Sequence, residues 1–89
     1  MSKTTTVVND CPHYLRNKGY SGSGGTYRRL MGVRYGSSYA VVVDRSPWGA
    51  WLGRVTADGV TIYTTKGGGV EVADAAEAEC AKAFGPFPV

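Results

Sequence analysis

Between residues 39 and 65, three short runs rich in β-branched and aromatic residues are cut apart by two turn signals, a spacing that suits an antiparallel meander. Tyr39-Ala40-Val41-Val42-Val43-Asp44-Arg45 reads as a strand, Ser46-Pro47-Trp48-Gly49 as a turn, and residues 50–56 as the returning strand. Pro at the second turn position presets φ, and Gly at the fourth suits the exit. Ala57-Asp58-Gly59 carries the Asp-Gly signal of a tight hairpin and leads into a third strand over residues 60–65. Side chains alternate across a strand, so Val41, Val43, Trp51, Val55, Val60 and Ile62 are expected to face one way, toward a covering element.

That cover is read at the end of the chain. Asp74 followed by Glu77 fits an N-cap with its third-residue carboxylate, and Gly85-Pro86 supplies a stop, which predicts a helix over residues 75–84. Ala76, Cys80, Ala83 and Phe84 form one apolar stripe, mostly of small residues, so the helix must lie close to the sheet. Upstream, residues 27–35 alternate as a further strand. Residues 4–8 and 70–72 are candidate short segments, the latter an edge strand before the helix. Residues 17–25 hold four glycines and two serines and read as a flexible, exposed loop. The expected fold is α+β: an antiparallel sheet of four to five strands with one C-terminal helix on one face, in a single domain over residues 1–89.

Length limits the chemistry. A chain of 89 residues buries only ~60–65% of its unfolded surface, which leaves little room for a deep catalytic cavity. The lone histidine, His13, stands two residues from Cys11, but no second close pair completes a metal site. Cys80 falls on the apolar stripe of the helix, where it reads as a small core residue. Gly22-Ser23-Gly24-Gly25-Thr26 is glycine-rich, yet it lacks the Lys-Ser/Thr ending of a phosphate loop and a strand follows it. No catalytic residue, metal ligand or cofactor site emerges, and the expectation is a protein that is not an enzyme. The start of the chain has no apolar core of a signal peptide and no stretch is long enough to span a bilayer, so a cytoplasmic protein without membrane contact is expected.

The net charge of +3 is unevenly spread: residues 1–43 carry a balance of +5, and residues 70–89 a balance of −3. Folded onto opposite faces, these ends would give a basic face and an acidic helix, each able to steer a charged partner; an ordinary mixed surface serves solubility equally well. Tyr27, Arg28, Arg29, Arg34 and Tyr35 interleave charge with rings along one strand, the mixture by which single-stranded nucleic acid is held. The same pattern suits half-buried strand tyrosines with solvated arginines. Trp48, at a turn tip, is a candidate interface anchor. Arg45 and Arg54 flank it on the two strands, and Glu77 and Glu79 offer an acidic helix face.

From Ser46 onward, Pro47-Trp48-Gly49-Ala50-Trp51 and Asp74-Ala75-Ala76-Glu77-Ala78 resemble the DNA-binding domain of plant ethylene-response factors, over about half of the chain. That resemblance implies a three-stranded meander backed by an alanine-rich helix and a sheet that reads the major groove. The family's arginines are replaced around the matched run by Val41, Asp44 and Ser46, so on this resemblance only Trp48 and Trp51, with Arg45 and Arg54 beside them, would be left to take over that role. In style, a short basic chain with a threonine-rich start, a small sheet and one late helix is similar to phage-encoded inhibitors of bacterial CRISPR systems. This similarity implies a binding protein in the cytoplasm of a bacterial host, docking on a host protein or nucleoprotein complex and blocking its nucleic-acid or partner site. The alternative is direct DNA or RNA binding by the basic aromatic strand.

Overall fold

The computed structural model describes residues 11–85, so the candidate strand at 4–8 lies outside the described residues. The chain forms α1 (His13–Asn17), β1 (Ser21–Ser23), β2 (Thr26–Arg34), β3 (Ser37–Arg45), β4 (Trp51–Ala57), β5 (Val60–Gly67) and α2 (Glu71–Phe84). The five strands make one antiparallel sheet in the order β1-β2-β3-β4-β5. It is the expected α+β architecture of a small sheet with a C-terminal helix.

Turn chemistry sets the order. Tyr35 and Gly36 both have positive φ (53° and 78°), as do Asp58 and Gly59 (50° and 86°). Two consecutive left-handed residues match the twist of the flanking strands and return the chain directly into its neighbour. Asp58 Oδ1 accepts from the Ser38 N–H at 2.8 Å, while the Asp58 N–H donates to the Ser38 carbonyl, also at 2.8 Å. The second hairpin is thereby stitched to the start of β3.

The core lies between one sheet face and α2. Tyr27, Tyr39, Val41, Val43 and Val55 point toward the helix, whose buried residues are Val72, Ala73, Ala76 and Cys80. Contact is tight because both surfaces are small: a Cβ on Gly53 would sit 2.6 Å from the Val72 carbonyl oxygen. At the far end, the Phe84 ring packs on Tyr39 with centroids 4.2 Å apart.

Four expectations change. Residues 17–25 are not an open loop. Tyr20 is buried, residues 21–23 pair with β2, and Gly19 at φ 98° ends α1 with the Tyr20 N–H bonding the Leu15 carbonyl and the Gly19 N–H bonding that of Arg16. This turn sends Leu15 and Tyr20 into the core together. Residues 70–72 are not an edge strand, because α2 begins at Glu71 with Val70 as its N-cap. Asp74 accordingly sits in the first turn rather than at the cap, since Gly67-Gly68-Gly69 already releases the chain from the sheet. Finally, Val60 and Ile62 are exposed (66% and 46%) rather than covered. β5 carries a bulge: Val55 pairs with Tyr63 but Thr56 with Thr61, which leaves Ile62 unpaired, and a cleft of about 200 Å³ separates Ile62 and Tyr63 from Cys80 and Ala83 of α2.

Candidate binding surface

The β3–β4 turn is built to hold Trp48 outward. The Gly49 N–H closes the turn onto the Ser46 carbonyl at 3.0 Å, and Ser46 Oγ accepts from the N–H groups of Trp48 (3.2 Å) and Ala50 (3.0 Å). The Ser46 N–H in turn donates to the Ala50 carbonyl at 2.8 Å. Four hydrogen bonds thus fix a segment of five residues, and Pro47 and Gly49 (φ 91°) supply its fixed and its left-handed φ. The indole at its tip is 86% exposed.

Below the tip, the turn's two stems open onto a groove of about 470 Å³ bounded by Ala50, Trp51 and Leu52 and by the charged residues Asp44, Arg45 and Lys66. Arg45 lies over the Trp51 ring, its guanidinium carbon 5.8 Å from the centroid. Asp44 is engaged by Arg54, whose Nε donates to Oδ2 at 2.8 Å, and Arg54 also reaches Thr61 Oγ1 at 3.1 Å.

The face of the sheet opposite α2 continues from this groove. Cross-strand pairing aligns Arg28, Val42, Arg54 and Thr64 in one row, and Thr26, Asp44, Leu52 and Lys66 in the next. Arg28 and Lys66 make no ion pair among the described residues. Leu30 (57%) and Val33 (66%) add exposed apolar area to this face.

The basic aromatic strand, by contrast, does not act as one surface. Its residues alternate: Arg28 faces away from the helix, while Arg29 and Arg34 lie on the helix side with their partners Val41 and Ser37. Tyr27 is 1% exposed and belongs to the core, which removes it from the candidate binding residues. Tyr35 is 82% exposed but stands at the β2–β3 turn, at the opposite end of the sheet from Trp48, about 30 Å away for a nine-residue strand.

The two charged ends of the chain meet instead of separating. Lys18 Nζ lies 2.6 Å from Asp74 Oδ1 and 3.0 Å from Glu77 Oε1, and Arg29 Nη1 lies 3.1 Å from Glu77 Oε2. The Tyr20 hydroxyl donates to Glu77 at 2.6 Å, and the Tyr14 hydroxyl donates to Asp74. Hydrogen bonds from Lys18 and then Tyr14 hold the Asp74 carboxyl below its usual range, while the bond to Asp74 raises Lys18 above its own. Burial, followed by the bond to Glu77, pushes the Tyr20 phenol upward. Glu77 and Arg29 therefore fasten α1 and β2 to α2 rather than facing a partner, and the expected separation into a basic and an acidic face is replaced by this internal network. Glu79 stays half-exposed beside the cleft next to Ile62.

Two residues flagged for chemistry part company: Cys11 is buried, its thiol 3.7 Å from the Tyr20 carbonyl oxygen, while His13 is exposed on α1. Among the described residues, no three of His, Cys, Asp and Glu cluster so as to hold a metal ion, and no helix is long and apolar enough to cross a membrane. Sequence reasoning reached Trp48, Arg45, Arg28 and Arg54, all of which remain at the surface. It missed Ser46, Leu52 and Lys66; their signal lay in the registers, which bring Lys66 beside Leu52 and Leu52 beside Asp44. Comparison with protein-family models, with curated proteins and with solved structures found no match.

Proposed function

We propose that this chain is a non-enzymatic binding protein that docks on a host protein or nucleoprotein complex through the Trp48 hairpin and the sheet face beside it. The observation that carries the reading is a tryptophan 86% exposed on a turn of fixed geometry. An exposed indole has no use in the protein's own core, and large aromatic residues are the commonest anchors of protein interfaces. Its fixed backbone lowers the ordering cost of association. On the sheet face beside it, Arg28, Arg54 and Lys66 against Asp44 give an excess of positive charge, which suits an anionic partner such as a nucleoprotein. An inhibitor of the phage type, which covers a host complex's nucleic-acid or partner site in the bacterial cytoplasm, is the form of binding protein that fits this small, cavity-poor domain.

The test is capture from bacterial lysate at moderate salt with the tagged chain and its Trp48→Ala variant. A defined partner retained by the first and lost by the second, at equal folded protein, is the expected result. Absence of any partner that depends on Trp48 overturns the proposal.

A further inference from the structure

We propose that β5 pairs, antiparallel and edge to edge, with β5 of a second copy of this chain, so that two five-stranded sheets join into one. The inference uses the lateral edge of the sheet rather than the end that carries Trp48, and it does not depend on the docking reading.

The first argument is the edge itself. The sheet has two: β1, three residues long, and β5, eight residues long. Among the described residues, β5 has β4 on one side and no strand on the other. An edge of that length offers a row of backbone donors and acceptors to another strand unless charge, proline or a short span blunts it. Val60-Thr61-Ile62-Tyr63-Thr64-Thr65-Lys66-Gly67 has no proline, and its single charge stands near its end.

The second argument is the apolar surface beside that edge. Val60 pairs with Ala57 and Tyr63 with Val55, which puts both on the side of the sheet that α2 covers. The bulge brings Ile62 to the same side, where it lines the cleft with Tyr63, Cys80 and Ala83. Yet α2 stops short of all three: Val60, Ile62 and Tyr63 are 66%, 46% and 42% exposed. Pairing centred on Thr64, with the bulge left out of the ladder, sets Val60 opposite Gly67 of the second copy, which has no side chain to obstruct it. Tyr63 then lies diagonal to the second copy's Tyr63, at ~7–8 Å and within reach of an aromatic ring. The two clefts become one apolar seam.

The third argument is charge. Glu77 reaches Arg29 and Tyr20, which fixes that flank of α2 toward β2 and away from β5. At 3.6 residues per turn, Ala75, Glu79 and Lys82 fall on the other flank, and Glu79 lines the cleft there. Neither Glu79 nor Lys82 makes an ion pair among the described residues. The twofold axis that runs β5 against itself also sets the two α2 helices antiparallel on one face of the joined sheet. Because Thr65 lies by Val72 and Tyr63 by Cys80 and Ala83, that axis brings each Glu79 within about one turn of the other copy's Lys82. With α2 packed over β4 and β5, three strand spacings, or ~14 Å, bound the distance between the helix axes. Alanines do not close such a gap, but an extended glutamate and lysine do. The pair is reciprocal, which a second copy supplies and an unrelated strand does not.

The experiment is sedimentation of the full chain from about 1 to 500 μM, since only self-association makes the mass depend on concentration. A mass rising toward twice that of the chain is expected. Ile62→Lys should raise the dissociation constant at least tenfold, with Val60→Lys as a second variant if the first unfolds. Glu79→Lys and Lys82→Glu should each raise it several-fold, and the double variant should recover most of the loss. Trp48→Ala should leave it unchanged. Thermal unfolding at low concentration checks the fold of each. A monomer at every concentration, a dimer indifferent to a folded Ile62→Lys or Val60→Lys variant, or a double variant no better than the single ones overturns the inference.

Discussion

Lys18 and Asp74, separated by 56 positions in sequence, meet at 2.6 Å and tie the start of the described chain to the first turn of α2. This contact, with its neighbours at Glu77, turns what reads in sequence as two segregated charge blocks into an internal fastening. The net charge that remains for a partner on the face opposite α2 therefore sits around Arg28 and Lys66.

The fastening has a pH signature. Asp74 has a folded pKa below its ordinary value of 3.8, so its contribution is complete above that value and disappears as pH falls through the lower folded one. Lys18 is raised above 10.5, so its contribution is complete below that value and disappears as pH rises through the higher folded one. The stability difference between wild type and Asp74→Asn should thus be flat from about pH 5 to 9 and shrink at both extremes. Because Asp74 is 46% exposed and screened by solvent, the plateau should be no more than about 1 kcal/mol. Urea unfolding across pH measures it.

Glu77 should matter more than Asp74. Its side chain is only 15% exposed and answers Lys18, Arg29 and Tyr20 together. Glu77→Ala leaves a half-buried guanidinium and a buried phenol without this acceptor, for an expected loss of about 1–3 kcal/mol. Glu77→Gln keeps an acceptor for Tyr20 and should cost less. Chemical denaturation of the two variants side by side gives the ranking.

Gly53 permits the contact on which the core depends. A methyl group there would lie 2.6 Å from the Val72 carbonyl oxygen and 2.7 Å from Thr65 Oγ1, and backbone cannot step aside as a flexible side-chain end can. Gly53→Ala should destabilise by about 1–3 kcal/mol, read as a lower urea midpoint. Gly68→Ala, where a Cβ meets nothing within 4 Å, is the matched control and should change little.

These sites also mark what the sequence reveals and what it hides. The strands around Val41, Val55 and Ile62, the Asp58-Gly59 hairpin and the Gly85 stop follow from local pattern, because period-two alternation and left-handed turn residues act within a few positions. The one-and-a-half turns of α1 are too short for a periodic signal, and the Schellman turn at Gly19 is indistinguishable in sequence from a flexible glycine. Asp74 has the look of a cap, yet its partners are Tyr14 of α1 and Lys18 just after it, which no local rule supplies. Ile62 keeps its alternation in sequence but loses it to the bulge. At the candidate surface, Trp48 was legible because a turn tip needs no tertiary information. Tyr27 and Arg29 were not, since which side of β2 meets the helix is decided by register.

Ser46 offers a separate handle on the Trp48 tip. Ser46→Ala removes the acceptor for two backbone N–H groups while leaving the indole in place. It should weaken partner binding through loss of preorganisation, by about tenfold or less, with unfolding changed by about 1 kcal/mol at most. Calorimetry of partner binding distinguishes this from loss of contact.

The claim at the centre of this account is that Trp48 serves a partner and not the fold. Its most direct measurement pairs the thermal unfolding of Trp48→Ala with its affinity for the partner captured by the wild-type chain. An 86% exposed side chain should leave stability within about 0.5 kcal/mol, whereas removal of an interface anchor should cost at least about 2 kcal/mol, or roughly 30-fold in Kd. Unchanged affinity, or a loss of stability that accounts for the loss of binding, would contradict it.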